Sequence, residues 1–256
     1  FSAYGEELST LRSSSGVTLR GAGPVGTYHV DREDGPSIRT TAELDGAVTD
    51  AELIFLTGPV HKQRTYSMVL ADHLKDGQVL VVAPGRSLGA LETAWLLRIG
   101  GCTADVTIVE AQGLPYWYDE AGSILTLSQV APMPAATLPS GRPEILSALK
   151  KYFPNLVMFD SVLGSGFSDG SALVEVPTLL MGGPSLQSGA ASIPMGGQYL
   201  ENNRTFASLI GPAHKAVISK LTEERHLVAK SFGIRNLPSS DEMIDTYGGS
   251  LRGDYS

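Results

Sequence analysis

Three groups of residues in this chain have the types and spacing to do chemistry. The first is a glycine series. In "VTLRGAGPVGTYHV", residues 17–30, Gly21, Gly23 and Gly26 fall in the order G-x-G-x-x-G. Such a series cradles a pyrophosphate only where a strand feeds it and a helix leaves it, so that free N–H groups at the helix N-terminus meet the anion. Gly26 leads instead into β-branched and aromatic "TYHV", then "DREDGP", a charged turn closed by Pro36. Pro24, inside the series, has no N–H to offer. The series reads as the turn of a hairpin with strands at 17–20 and 27–30, not as a phosphate loop.

The second group lies at the ends of short apolar runs. Thr57-Gly58-Pro59 follows "LIFL", Pro84-Gly85-Arg86 follows "VLVVA", and Glu110-Ala111-Gln112-Gly113-Leu114-Pro115-Tyr116 follows "VTIV". In an open parallel sheet, ligands bind beyond the carboxyl ends of the strands. Gly and Pro let the backbone approach a flat ligand, and Arg86 offers a fork that matches a carboxylate. The same residues punctuate ordinary turns. Their recurrence at three successive strand ends favours a ligand site.

The third group is the histidines. His29 and His73 fall in an edge strand and a surface helix, His61 comes after the first strand-end loop at a helix start, and His226 faces outward. His214 lies in the first turn of a long helix, on its apolar side. That is a place for a neutral acid/base imidazole, though a packed core histidine is the commoner occupant of such a position. No Cys/His or paired-carboxylate spacing points to a metal.

Composition bounds what these groups can serve. The chain has 256 residues, enough for one large or two modest domains. Its net charge is −8 without a Lys/Arg cluster, which disfavours nucleic acid and anionic membranes as partners. No apolar run reaches the roughly 18 residues of a membrane span. "FSAYGEEL" lacks signal-peptide architecture, and a single cysteine, Cys102, fits a reducing cytoplasm. The Asn203-Arg204-Thr205 sequon and the Arg252-Gly253-Asp254 tripeptide read as chance matches.

The elements that must position these residues alternate in type. Helices are expected at 5–13, 41–51, 60–74, 88–100 and 142–154, the last with Pro143 in its first turn. The helix at 60–74 turns Tyr66, Val69, Leu70 and His73 or Leu74 to one side. Strands are expected at 53–56, 78–83, 105–111, 124–130, 135–138 and 156–159. Continuous apolar strands alternating with helices imply a parallel sheet covered on both faces. "GSGFSDGS" reads as a turn-rich junction. Beyond it, Pro212–Phe232 forms a long helix with Gly233 at its C-terminus, its shared face carrying Val217, Ile218, Leu221, Val228 and Phe232. The expected division is an α/β domain at 1–164 and a helical domain at 165–256.

With these loops in place the chain resembles the opine dehydrogenase family, the octopine and nopaline dehydrogenase-like proteins that include N-(1-carboxyethyl)-norvaline dehydrogenase. The matching stretches are "ELIFLTGPVHKQRTYSMVLADHLKDGQVLVVAPGRSLGALE" (52–92), "VTIVEAQGLPYW" (106–117) and "KLTEERHLVAKSFGI" (220–234). The resemblance implies an NAD(P)-binding Rossmann-like domain at 1–164 and a helical substrate domain at 165–256. It implies NAD or NADP as cofactor, and reduction of the imine formed between an amino acid and a 2-oxo acid. Thr57, Gly58, Pro59, Pro84 and Gly85 would then line the cofactor, Arg86, Glu110, Gln112 and Tyr116 the substrate, in a cytoplasmic enzyme.

In such proteins the true glycine fingerprint lies on a first strand and helix that would precede Phe1, and the polypeptide continues past Ser256. The chain is therefore expected to be an internal fragment, inactive as it stands. The chain departs from the family at one point: where members place an acid/base histidine before a proline, this chain has Gly183-Pro184. Either another group such as His214 substitutes, or the chain has different chemistry. The alternatives are a non-catalytic dinucleotide-binding or regulatory homologue, and an enzyme of ketopantoate or glycerol-3-phosphate reductase type.

Overall fold

A computed structural model of the chain describes residues 1–2, 5–14, 16–35, 37–130, 132–181 and 210–250. The Gly183-Pro184 pair, the sequon at 203–205 and the tripeptide at 252–254 lie outside them. The chain divides into two compact units, Phe1–Ser165 and Gly166–Ser256.

The first unit contains α1 (Gly5–Ser13), β1 (Gly16–Gly21), β2 (Gly26–His29), α2 (Leu44–Val48), β3 (Leu53–Thr57), α3 (Val60–Leu70), β4 (Val79–Ala83), α4 (Gly89–Ile99), β5 (Thr107–Ala111), β6 (Tyr116–Ala121), β7 (Ile124–Val130), β8 (Met133–Leu138), α5 (Pro143–Lys150) and β9 (Leu156–Met158). A further helix, α6 (Val162–Ser168), runs across the division. Five strands form the main sheet in the order β3-β4-β5-β8-β9. The runs β4 "VLVVA" and β5 "TIVEA" sit inside it and are buried nearly throughout, as strands covered on both faces must be.

Alternation along the strands splits the core in two. Leu80, Val82 and Ile108 pack on one face with Leu70 of α3 and Leu97 of α4. Val81, Ala83, Val109 and Ala111 pack on the other with Leu146 and Leu149 of α5. At roughly 25 cal/mol per Å² of apolar surface removed from water, burial in these two layers stabilises the unit.

The main sheet is of the expected Rossmann type, but it is not wholly parallel. Strands β3, β4 and β5 run parallel, whereas β8 is antiparallel to β5. The reason is connectivity. Between β5 and β8 the chain makes the hairpin β6–β7 instead of a crossover helix, so it re-enters the sheet from the edge it left. That hairpin joins a second sheet in the order β2-β1-β7-β6. Strand β6 lies outside the strands expected from the sequence, although its aromatic run "YWY" and the Gly122-Ser123 turn are a hairpin signal.

Other differences are local. Helix α2 spans only Leu44–Val48, with no side-chain cap and only Val48 buried. In α3 the buried face carries Gln63, Ser67 and Leu70, while Val69 is exposed. The turn-rich "GSGFSDGS" contributes the end of α6 instead of a loop.

The second unit contains α7 (Ser171–Leu180), α8 (Pro212–Ser231) and α9 (Ser240–Ser250), with a core of Val174, Ile218, Met243 and Ile244. Gly233, at φ +80°, ends α8 as expected of a glycine after a helix. The buried stripe of α8 runs through Ile218, Thr222 and Ala229, not through Val217, Val228 and Phe232, which are exposed. Thr222 tolerates burial because its hydroxyl donates to the Ile218 carbonyl at 2.7 Å.

Candidate functional site

Because β3, β4 and β5 are parallel and in register, with Thr57 opposite Ala83 and Val82 opposite Glu110, their carboxyl ends come together. The three loops picked out by composition are therefore neighbours. Thr57, Gly58 and Pro59 are exposed, and Gly58 has φ +98° with open space where a side chain would project. Pro59 then caps the start of α3. The second loop, Pro84–Leu88, holds two non-glycine residues in the left-handed region, Arg86 at φ +50° and Leu88 at φ +67°, and Leu88 is the N-cap of α4. L-residues populate that region at a cost of roughly 1–2 kcal/mol each, so surrounding contacts must hold them there.

Those contacts come from side chains that bridge the loops. The buried Gln63 carboxamide donates to the Gly58 carbonyl at 2.9 Å and to the Pro84 carbonyl at 3.3 Å, joining the first loop to the second. Gln112 donates through Nε2 to the Arg86 carbonyl at 2.8 Å and to Glu110 Oε1 at 2.9 Å, joining the second to the third. The Gly85 N–H adds a backbone link to the Ala111 carbonyl at 2.6 Å. Asn155 holds the far end of the third loop by donating to the Pro115 carbonyl at 3.1 Å. Gln63 does not stand out in the sequence as a residue of the site. Its only signal is a polar side chain on the otherwise core-facing side of α3.

Not every expected contact faces a ligand. Glu110, expected to meet substrate, is completely enclosed. Its Oε2 accepts the Ala90 N–H at 3.0 Å, and its Oε1 accepts both Gln112 and the Ser165 hydroxyl, the latter at 2.7 Å. It faces inward because it alternates with Val109 onto the α4 side of β5. Arg86 and Gln112 are half-buried at the strand ends. Tyr116 opens β6 with its ring against the glycine turn, where a side chain added to Gly23 would come within 2.8 Å of it.

That turn settles the role of the glycine series. Gly21, Gly23 and Gly26 connect β1 to β2 in an antiparallel hairpin, and no helix comes directly after it. Gly21 sits at φ +95°, and a Cβ there would lie 2.1 Å from the Leu127 carbonyl oxygen of β7. The glycines answer to strand packing, not to a phosphate.

In the second unit, His214 stands in the first turn of α8. Its Nδ1 accepts the Gly211 N–H at 3.2 Å, which places the ring proton on Nε2, and that nitrogen is buried with no hydrogen-bond partner among the described residues. His226 is half-buried, and its Nε2 donates to the Pro238 carbonyl at 3.1 Å. His61 and His29 are exposed, and His73 pairs with Asp45 at 2.5 Å. Gly166-Phe167-Ser168-Asp169-Gly170 has the spacing of a nucleophile elbow, but it ends a helix instead of a strand and Ser168 is buried. Among the described residues no cluster of His, Cys, Asp and Glu is placed to hold a metal, and no helix is long and apolar enough to cross a membrane.

Parallel strands ending in stitched Gly/Pro loops define a Rossmann-type α/β unit, and a helical unit follows it in the chain. Comparison with known proteins narrows the resemblance. The chain is 24% identical over 249 residues to the opine dehydrogenase of Arthrobacter sp. (strain 1C), covering 96% of this chain and 64% of that protein. Among solved structures it is similar to octopine dehydrogenase in complex with NADH and agmatine, with a TM-score of 0.62 and 17% identity over 93% of this chain and 58% of that one. An apo yersinopine dehydrogenase matches with a TM-score of 0.61 and 14% identity, covering 100% of this chain and 66% of its own. The 2-dehydropantoate 2-reductase of Geobacter metallireducens GS-15 matches with a TM-score of 0.60 and 10% identity over 95% of this chain and 72% of that one. No family model matches. The resemblance to the opine dehydrogenase family thus extends over nearly the whole chain, which itself spans about three fifths of the length of the first two of these relatives.

Proposed function

We propose that the chain is the dinucleotide-binding and part of the substrate-binding portion of an NAD(P)H-dependent oxidoreductase of opine dehydrogenase type. In this reading, residues 1–164 bind NAD or NADP, and residues 165–256 form a helical substrate domain. The reaction is reduction of the imine between an amino acid and a 2-oxo acid, in the cytoplasm, where the single cysteine Cys102 would stay reduced. The observation that carries the proposal is the similarity, over 96% of this chain, to an opine dehydrogenase, joined to a set of strand-end loops stitched together by Gln63 and Gln112.

The residues present fit a flat ring at the strand ends. Thr57, Gly58 and Pro59 would form one wall, with open space beside Gly58, and Pro84 with the largely buried Gly85 the next. NADH or NADPH would supply hydride there when bound. Arg86 would hold a substrate carboxylate, and Gln112 and Tyr116 would border it. His214, with its proton on Nε2, would stand in for the family histidine, where this chain has Gly183, as a hydrogen-bond donor to the substrate; a protonated imine takes hydride to give the neutral amine without drawing that proton.

The fold is shared with a 2-dehydropantoate 2-reductase and a D-mandelate dehydrogenase. What favours an imine over a free ketone is the similarity in sequence to an opine dehydrogenase. Titration of the full-length protein with NADH and NADPH, monitored by fluorescence, tests the cofactor half. Micromolar binding of either one is expected, and the absence of binding to both would remove the proposal.

A further inference from the structure

We propose that Glu110 is a positioning residue whose enclosed carboxylate locks the Pro84–Leu88 loop in the form that presents Pro84, Gly85 and Arg86 to a ligand. The proposal rests on the dinucleotide-binding reading above, but its geometry stands within the first unit alone.

An acid buried in an apolar strand is costly unless its oxygens are filled. Glu110 is 0% exposed, between Val109 and Ala111, and groups from three places reach its oxygens. Ala90 N–H comes from the first turn of α4, Gln112 Nε2 from the third strand-end loop, and Ser165 Oγ from α6. The same Gln112 nitrogen also holds the Arg86 carbonyl, next to the left-handed Arg86 backbone. Glu110 therefore grips the loop at two points, through Ala90 just after it and through Gln112 in its middle.

The loop is also built around the side chain itself. A Cβ added to Gly85 would lie 2.5 Å from Glu110 Cγ, so only glycine lets the loop close over this residue. The chemistry requires a carboxylate and not its amide. The Ala90 N–H and the Gln112 N–H₂ can only donate and they meet different oxygens of Glu110, so a glutamine must turn its own N–H₂ toward one of them.

The test is a double-mutant cycle in the full-length protein, with hydrogen exchange, NADH affinity and thermal melting as readouts. In Glu110→Gln, the Ala90 and Gly89 amides are expected to exchange roughly tenfold faster or more, while Val81 and Val109 in the strands keep their protection. The NADH dissociation constant should rise about tenfold. Gly85→Ala should reproduce both effects in the parent but add nothing to Glu110→Ala, where Cγ is gone, a coupling of roughly tenfold. Unchanged exchange at Ala90, or additive effects of Gly85→Ala and Glu110→Ala, would overturn the lock. Loop exchange that rises with NADH affinity unchanged would overturn its positioning role. If the unsubstituted protein binds neither NADH nor NADPH, the dinucleotide reading falls, and the lock is judged on exchange and the cycle.

Discussion

Replacing Gly21 with alanine separates the two meanings of the G-x-G-x-x-G series. The new Cβ would stand 2.1 Å from the Leu127 carbonyl oxygen, and the residue would be an L-amino acid at φ +95°. Unfavourable φ alone costs about 1–2 kcal/mol. Relief requires the β1–β7 pairing to open, which loses the bond from Ala22 N–H to that same carbonyl, 2.6 Å long, for about another 0.5–1.5 kcal/mol. A destabilisation of about 2.5 kcal/mol corresponds to a melting temperature lower by roughly 5–10 °C in a domain of this size. Calorimetry reads that loss, and fluorescence titration below the transition reads NADH affinity, which should stay within about a factor of two of the parent. The hairpin account fails if affinity collapses while the melting temperature holds, because that is how a phosphate cradle behaves.

Three further outcomes are expected from other contacts. Gln63→Leu leaves the Gly58 and Pro84 carbonyls without their bridging donor, so it should destabilise by about 1–3 kcal/mol and weaken NADH binding several-fold, read by denaturant unfolding and titration. The Thr40 hydroxyl, then its N–H, and Arg12 hold the Asp31 carboxyl below the usual carboxylate range. With its folded pKa lowered, Asp31 contributes stability above its unfolded pKa and loses it as pH falls through the folded value. Thr40→Val should move the Asp31 pKa back upward, measured by NMR titration, and flatten that acid limb. His214→Gln should lower kcat by roughly 10² to 10⁴ with cofactor affinity intact. Stability that falls while kcat holds would make His214 a helix-capping residue only.

Much of this architecture is legible in the sequence because its signals are local. The apolar runs of β4 and β5, Pro143 at the start of α5, and the Gly100-Gly101 stop after α4 each carry their own reason for the element they form. The three strand-end loops can be placed together because a parallel sheet aligns its carboxyl ends. What escapes is set by partners distant in sequence. The direction of β8 depends on where the β6–β7 hairpin returns the chain. The buried face of α3 is polar at Gln63 and Ser67, since Gln63 serves two loop carbonyls and the Ser67 hydroxyl bonds back to the Gln63 carbonyl. Glu110 looks like a ligand contact because an acid at a strand end usually faces solvent. Donors from Ala90, Gln112 and Ser165, all distant or hidden in the sequence pattern, hold it inward.

The central claim is that the strand-end loops serve imine reduction by a bound nicotinamide. The most direct measurement tracks the near-ultraviolet absorbance of NADH or NADPH in full-length protein supplied with panels of amino acids and 2-oxo acids, with products identified by mass spectrometry. The account predicts oxidation that requires both an amino acid and a 2-oxo acid, matched one to one by a secondary amine carrying both carbon skeletons. Oxidation by a 2-oxo acid alone, yielding the hydroxy acid, would contradict it.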